Sequence, residues 1–204
     1  MNGDHRPLFI GLTGSLGSGK SSVARIILAF HKNVELYSIG QKIKSIVFEL
    51  DLSYRRDVLQ DTGDFFRKHD PLVWVKYLSK QIKRNSKSLG AIIDDIRWKE
   101  EGEFFKAQGF VLVRVEADDA LRRERIQARD KSLVNDGDWE RWNSHRTEED
   151  ARSMPVDYEI RNNGSMDELI IQTESLVNQI DQRRKSRNLQ QYIEPHGQNK
   201  GDIS

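Results

Sequence analysis

The stretch "GLTGSLGSGKSSVA", Gly11 to Ala24, decides how the rest of the chain is read. The apolar run "PLFIGLT" (Pro7 to Thr13) enters it and reads as a buried strand. Beyond Lys20, the apolar residues Val23, Ile26, Ile27 and Phe30 recur at helical spacing. Between them Gly14, Gly19, Lys20 and Ser21 fill every fixed place of the pattern G-x-x-x-x-G-K-[ST]. Successive backbone N–H groups in such a loop form a nest for an anion, and the dipole of the following helix adds to it. The expected cradle for the phosphates of ATP is Gly14, Ser15, Leu16, Gly17, Ser18, Gly19, Lys20, Ser21 and Ser22. Lys20 should reach the terminal phosphates, and the Ser21 hydroxyl should serve Mg²⁺.

The same alternation continues to the end. "GAIIDDIR" (Gly90 to Arg97), "FVLVRVEA" (Phe110 to Ala117) and "DYEIRNN" (Asp157 to Asn163) read as further strands. "KIKSIVFEL" (Lys42 to Leu50), "WKEEGEFFKAQG" (Trp98 to Gly109) and "DDALRRERIQARD" (Asp118 to Asp130) read as helices. Another helix is expected from Asp70 as N-cap with Pro71 at its first position, and a last one from the capping box of Ser165 and Glu168. Strands alternating with helices predict an α/β fold, a three-layer sandwich around a central parallel sheet. Residues 1–182 form the expected domain. A polar segment at about 131–154, holding Trp139 and Trp142, is its lid, and 183–204 form a polar tail whose outer part is expected to lack order.

Composition removes several classes. There are no cysteines, which excludes disulfides, thiolate zinc sites and cysteine nucleophiles. Lys and Arg number 33 against 32 Asp and Glu, so no global charge points to nucleic acid or to an anionic membrane. No apolar run is long enough to span a bilayer, and a polar start leading straight into a strand is unlike a signal peptide, so the expected location is cytoplasmic. His5, His31, His69 and His196 lack the spacing of a metal site.

A phosphate-binding loop alone does not separate kinases from GTPases and ATPases, so the remaining charges must. Asp94 and Asp95 end the second of these strands. Alternation puts them on opposite faces and puts Asp95 with Arg97, which makes Asp95 the expected metal residue and Arg97 a phosphate contact. Arg122, Arg125 and Arg129 fall at i, i+3 and i+7, on one helix face. Phosphoryl transfer relies on positive charge around the transferred group, and Arg125 and Arg129 next to a lid can supply it.

With these residues in view, the chain resembles the P-loop nucleoside monophosphate kinases. It is most similar to the phage-type deoxynucleoside monophosphate kinases and their phosphomevalonate-kinase relatives. The resemblance runs from Phe9 to about Ile180, through the loop, "LQDTGDFFRKHDPLVWV" (Leu59 to Val75), "DIR" (Asp95 to Arg97), "HRTE" (His145 to Glu148) and "DYEIRNNGSMDEL" (Asp157 to Leu169). It implies Asn162 beside the ATP base, Lys44, Arg67 and Trp74 along the acceptor site, and His145 as a further acceptor contact from the lid. The implied reaction moves the γ-phosphoryl of ATP, with Mg²⁺, to a small nucleotide acceptor. Dephospho-CoA kinases share the loop and "RIQARD" (Arg125 to Asp130). The chain, however, lacks their acidic pair after the second strand and their His-Pro segment. A P-loop ATPase or nucleotide-binding regulator without an acceptor is the third reading. Base and sugar of the acceptor, GTP against ATP, monomer against homodimer, whether Asp94 or Asp95 serves the metal, and the role of the tail all stay open.

Overall fold

The computed structural model describes residues 7–85, 90–129, 136–144 and 146–193. Its centre is a five-stranded parallel sheet in the order β2-β3-β1-β4-β5. The strands are β1 (Leu8–Thr13), β2 (Glu35–Tyr37), β3 (Gly90–Ile93), β4 (Val111–Glu116) and β5 (Tyr158–Arg161). Ile10 pairs with Ile92 on one side of β1 and with Val111 on the other, so the phosphate-loop strand lies in the middle.

Successive side chains of these strands are buried on opposite faces, which requires cover on both. On one face Ile10, Leu12, Ile92, Val113 and Val115 pack with Val23 and Ile27 of α1 (Lys20–Phe30) and Leu176, Val177 and Ile180 of α9 (Met166–Ile193). On the other, Ala91, Ile93 and Leu112 meet α2 (Ile39–Glu49), α4 (Val73–Arg84) and α5 (Lys99–Ala107) through Ile43, Val75, Leu78 and Phe105. The three layers are those expected.

Several boundaries differ for identifiable reasons. β2 is only three residues long and begins with an exposed Glu, too short to show alternation. α2 starts three residues before "KIKSIVFEL", because the Ser38 side chain accepts from the Gln41 N–H and caps it. "LQDTGDFFRKH", read only as an acceptor segment, lies within a 14-residue helix, α3 (Arg56–His69). α4 begins at Val73, two residues later than expected, since Asp70 and Pro71 form a turn in which Asp70 Oδ1 accepts from Leu72 N–H. The Ser165–Glu168 capping box is present as read, with both reciprocal bonds. α9 runs on to Ile193, across the point where the tail was placed. In the lid segment α7 (Asp136–Asn143) and α8 (Arg146–Ser153) are described, and His145 lies outside the described residues. The basic helix is α6 (Asp119–Arg129).

Candidate active site

Gly14 to Ser21 leave the carboxyl end of β1 and wrap the start of α1. Two glycines there are forced. Gly14 has φ 134°, and a Cβ on it would lie 2.1 Å from Val115 O. Gly19 has φ 102°, and its Cβ would fall 2.1 Å from Asn162 Nδ2. That backbone region is open to glycine and costly for other residues. Asn162 is the reason the loop is pressed so closely: its Nδ2 donates to Ser18 O at 2.8 Å and its own N–H donates to Glu116 O. The resemblance set Asn162 by a base; its amide instead ties the loop to the end of β5.

Lys20 is buried within the loop, its Nζ donating to Gly14 O at 2.6 Å and Ser15 O at 3.0 Å. Burial, with the Arg97 charge second, lowers its pKa to about 7, against the pull of Glu148, Asp95 and Asp94. Ser21 Oγ is 3.4 Å from Asp94 Oδ2. Burial and then the neighbouring Asp95 raise Asp94 to about 6, and its Oδ1 is buried with no hydrogen-bond partner.

The two aspartates are not divided between opposite faces as alternation predicts. β3 ends at Ile93, so strand alternation no longer governs positions 94 to 97 and both carboxylates face one cavity. Asp95, expected at the metal, accepts from Ile39 N–H at 2.9 Å, Gly40 N–H at 2.6 Å and the Ser38 hydroxyl at 3.0 Å. Its carboxylate thereby closes the N-terminus of α2, where a negative charge is stabilised. Asp94 is the one that faces Ser21.

A cavity of about 720 Å³ opens above the loop. Its wall includes Lys20, Ser21 and Arg25 of α1, Lys44 of α2, Gly63 and Arg67 of α3, Asp94, Asp95 and Arg97 after β3, and Arg125 and Arg129 of α6. Arg122, read with Arg125 and Arg129 as one face, turns away: it is buried, donates to Asn143 Oδ1 and lies over the Trp139 ring. Arg125 donates to Asn162 O at 2.9 Å. Trp74 is not in the cavity wall. It is 4% exposed, its indole N–H donates to Gly63 O, and its ring meets Phe66 edge-on at 5.4 Å. The expected base-stacking residue is therefore a core residue with its one polar atom satisfied.

Two carboxylates that spacing alone did not single out organise the arginines. Glu101 is fully buried, takes both Nε and Nη2 of Arg67 at 3.1 and 2.9 Å, and also accepts from the Arg97 and Trp98 N–H groups. Glu148, known from the sequence only within "HRTE", accepts from the Leu16 N–H at 2.7 Å and from Arg97 Nη1 at 3.1 Å. Their partners lie 34 and 132 residues away, beyond any local pattern.

Among the described residues, no group of three or more His, Cys, Asp or Glu side chains is gathered to hold a metal ion. No described helix is long and apolar enough to cross a membrane. No curated protein matches the chain by sequence. Solved structures share its fold. A gluconokinase from Sinorhizobium meliloti superposes with a TM-score of 0.59 at 14% identity, over 89% of this chain and 97% of that one. The shikimate kinase from Acinetobacter baumannii, in complex with shikimate, gives 0.56 at 15% identity, over 87% and 94%. That from Aquifex aeolicus gives 0.54 at 14% identity, over 87% and 98%. A family model described as an AAA domain matches residues 10–154, from β1 through α8 and so across the loop and every wall of the cavity. The chain belongs to the AAA domain family.

Proposed function

We propose that this chain is an ATP-dependent phosphotransferase whose acceptor is itself a phosphate ester, a nucleoside or deoxynucleoside monophosphate. What carries the reading is one cavity whose wall joins the phosphate-binding loop to Lys44 of α2 and Arg67 of α3. A cleft of this size matches a ligand site, and its cations outnumber its carboxylates. Lys20 binds the β and γ phosphate oxygens. Ser21 and Asp94 fit Mg²⁺, because that ion takes a few oxygen ligands and keeps several waters, and the buried Asp94 Oδ1 has no other partner. Bound there, Mg²⁺ neutralises phosphate charge. Arg97, Arg125 and Arg129 balance the charge spread over the transferred group, where positioning and electrostatics carry most of the catalysis. Arg67, aligned by Glu101, and Lys44 hold the acceptor phosphate. An acceptor phosphate is already anionic, so no strong base is required.

The test is ADP release measured with ATP and Mg²⁺ over every NMP and dNMP, dephospho-CoA, shikimate and gluconate. Saturable release with a nucleoside monophosphate supports the proposal. Release with dephospho-CoA or a hydroxy acid alone replaces the acceptor. Equal release with and without acceptor makes the protein an ATPase.

A further inference from the structure

Among the described residues of the segment expected as a lid, Glu148 of α8 is buried and reaches the phosphate loop. Glu148 has a side-chain exposure of 1%. Both its oxygens are used: Oε2 on the Leu16 N–H of the loop, Oε1 on the guanidinium of Arg97. Burying a carboxylate is costly unless its partners are well placed. Docking α8 does not require that cost, since Ala151 of that helix is buried and Met154 just beyond it packs in an apolar cluster. The carboxylate therefore has a task other than adhesion.

That task can be read from what it joins. Leu16 lies in the phosphate loop, and Arg97 lines the same cavity as Lys20 and Arg67. The Arg97 side chain is 25% exposed and forms an ion pair with Glu148 at 3.1 Å. One turn of α8 also grips the next residue: Arg146 stacks on the Trp98 ring at 4.2 Å, and Arg67 lies over the same ring at 5.1 Å. A single helix thus touches the loop, Arg97 and, through Trp98, the acceptor arginine.

We infer that Glu148 is a positioning residue for phosphoryl transfer, fixing the Arg97 guanidinium against the phosphate loop without touching substrate. The inference rests on the phosphotransferase reading. A charged group displaced by about 1 Å can cost on the order of 100-fold in rate. Glu148→Gln keeps shape and an acceptor for Leu16 but loses the charge that holds Arg97.

The expected result is a kcat lowered about 10- to 100-fold, the range seen when an outer residue that orients a reactive group is changed. The acceptor KM should change far less. Arg97→Met combined with Glu148→Gln should be no slower than Arg97→Met alone, because both remove one device. Met154→Ala serves as the structural control, lowering thermal stability while keeping kcat. A Glu148→Gln enzyme within twofold of wild type, additive losses in the double variant, or a matching kcat loss in Met154→Ala would each overturn the inference. A readout without turnover separates it from the function: the ¹⁵Nε order parameter of Arg97. It should be high in the wild type and fall below about 0.6 in Glu148→Gln. If wild type transfers no phosphate but Arg97 is immobilised only with Glu148, the function is wrong and the positioning stands. If Arg97 is equally mobile in both proteins, the positioning is wrong whatever the activity.

Discussion

Replacing Lys20 with Met should change the free protein's stability in a strongly pH-dependent way while abolishing phosphoryl transfer. The folded protein holds the Lys20 proton only up to a pKa of about 7, whereas a free lysine holds it to 10.5. At 1.36 kcal/mol per tenfold change in proton affinity, the charged ammonium costs the fold roughly 5 kcal/mol. Methionine removes that cost but also removes the Nζ bonds to Gly14 O and Ser15 O. Bonds from a charged donor are worth about 1.5–3 kcal/mol each, so the net change below pH 7 lies between a gain of about 2 kcal/mol and a loss of about 1 kcal/mol. For a chain of this length a gain of about 2 kcal/mol is a rise in Tm of roughly 4–8 °C.

The sign depends on pH. Between about 7 and 10.5 the unfolded chain binds the Lys20 proton and the folded one does not, so wild-type stability rises with pH across that window. Below 7 the cost is present in full. The stability of Lys20→Met relative to wild type should therefore be highest near pH 6 and fall steadily toward pH 10.5. Differential scanning calorimetry of both proteins from pH 6 to 10, without nucleotide, measures it. A difference that does not change with pH, or one that moves in the variant's favour as pH rises, would refute the argument.

Trp74→Ala should lower stability by about 3–5 kcal/mol in urea unfolding, the cost of emptying a core indole, and leave the order of preferred acceptors unchanged. Asp94→Asn should raise the Mg²⁺ concentration needed for half-maximal ADP release at least tenfold, while Asp95→Asn should leave it near wild type. Asp95→Ala should instead cost about 1–2 kcal/mol of stability, because the N-terminus of α2 loses its carboxylate cap. Arg67→Ala should raise the acceptor KM with little change in the affinity for ATP in steady-state kinetics.

What was legible in the sequence was local. The loop pattern, the strand before it and the helix after it are consecutive residues under one steric requirement, and the structure has all three. The capping box of α9 is likewise settled within four residues. α3 escaped notice because it is polar on average and holds Gly63 in its middle, although its few apolar residues lie on one side and it packs against α2 and α4. The expectation that Asp94 and Asp95 fall on opposite faces assumed a strand that continues, whereas the chain bends at Asp94 and both residues line one cavity.

The arginines of α6 mark where a helical pattern stops informing. Positions 122, 125 and 129 lie within about 60° of one another around the axis, as their spacing requires. Along the axis, however, they are separated by about 4.5 and 6 Å, and it is this height that selects their neighbours. At the level of Arg122 the surroundings are Asp119, Asn143 and the Trp139 ring, so its charge is taken into the packing of α6 against α7. One turn further on, Arg125 reaches the carbonyl of Asn162, and both it and Arg129 line the cavity. A helical wheel records angle and discards height, so it assigns one role to three residues that the fold divides. Arg122→Met should then weaken the docking of α7 and reduce thermal stability while kcat stays near wild type, whereas Arg125→Met should lower kcat with a smaller effect on stability. Equal kcat losses in the two variants would restore the single face that the spacing suggested.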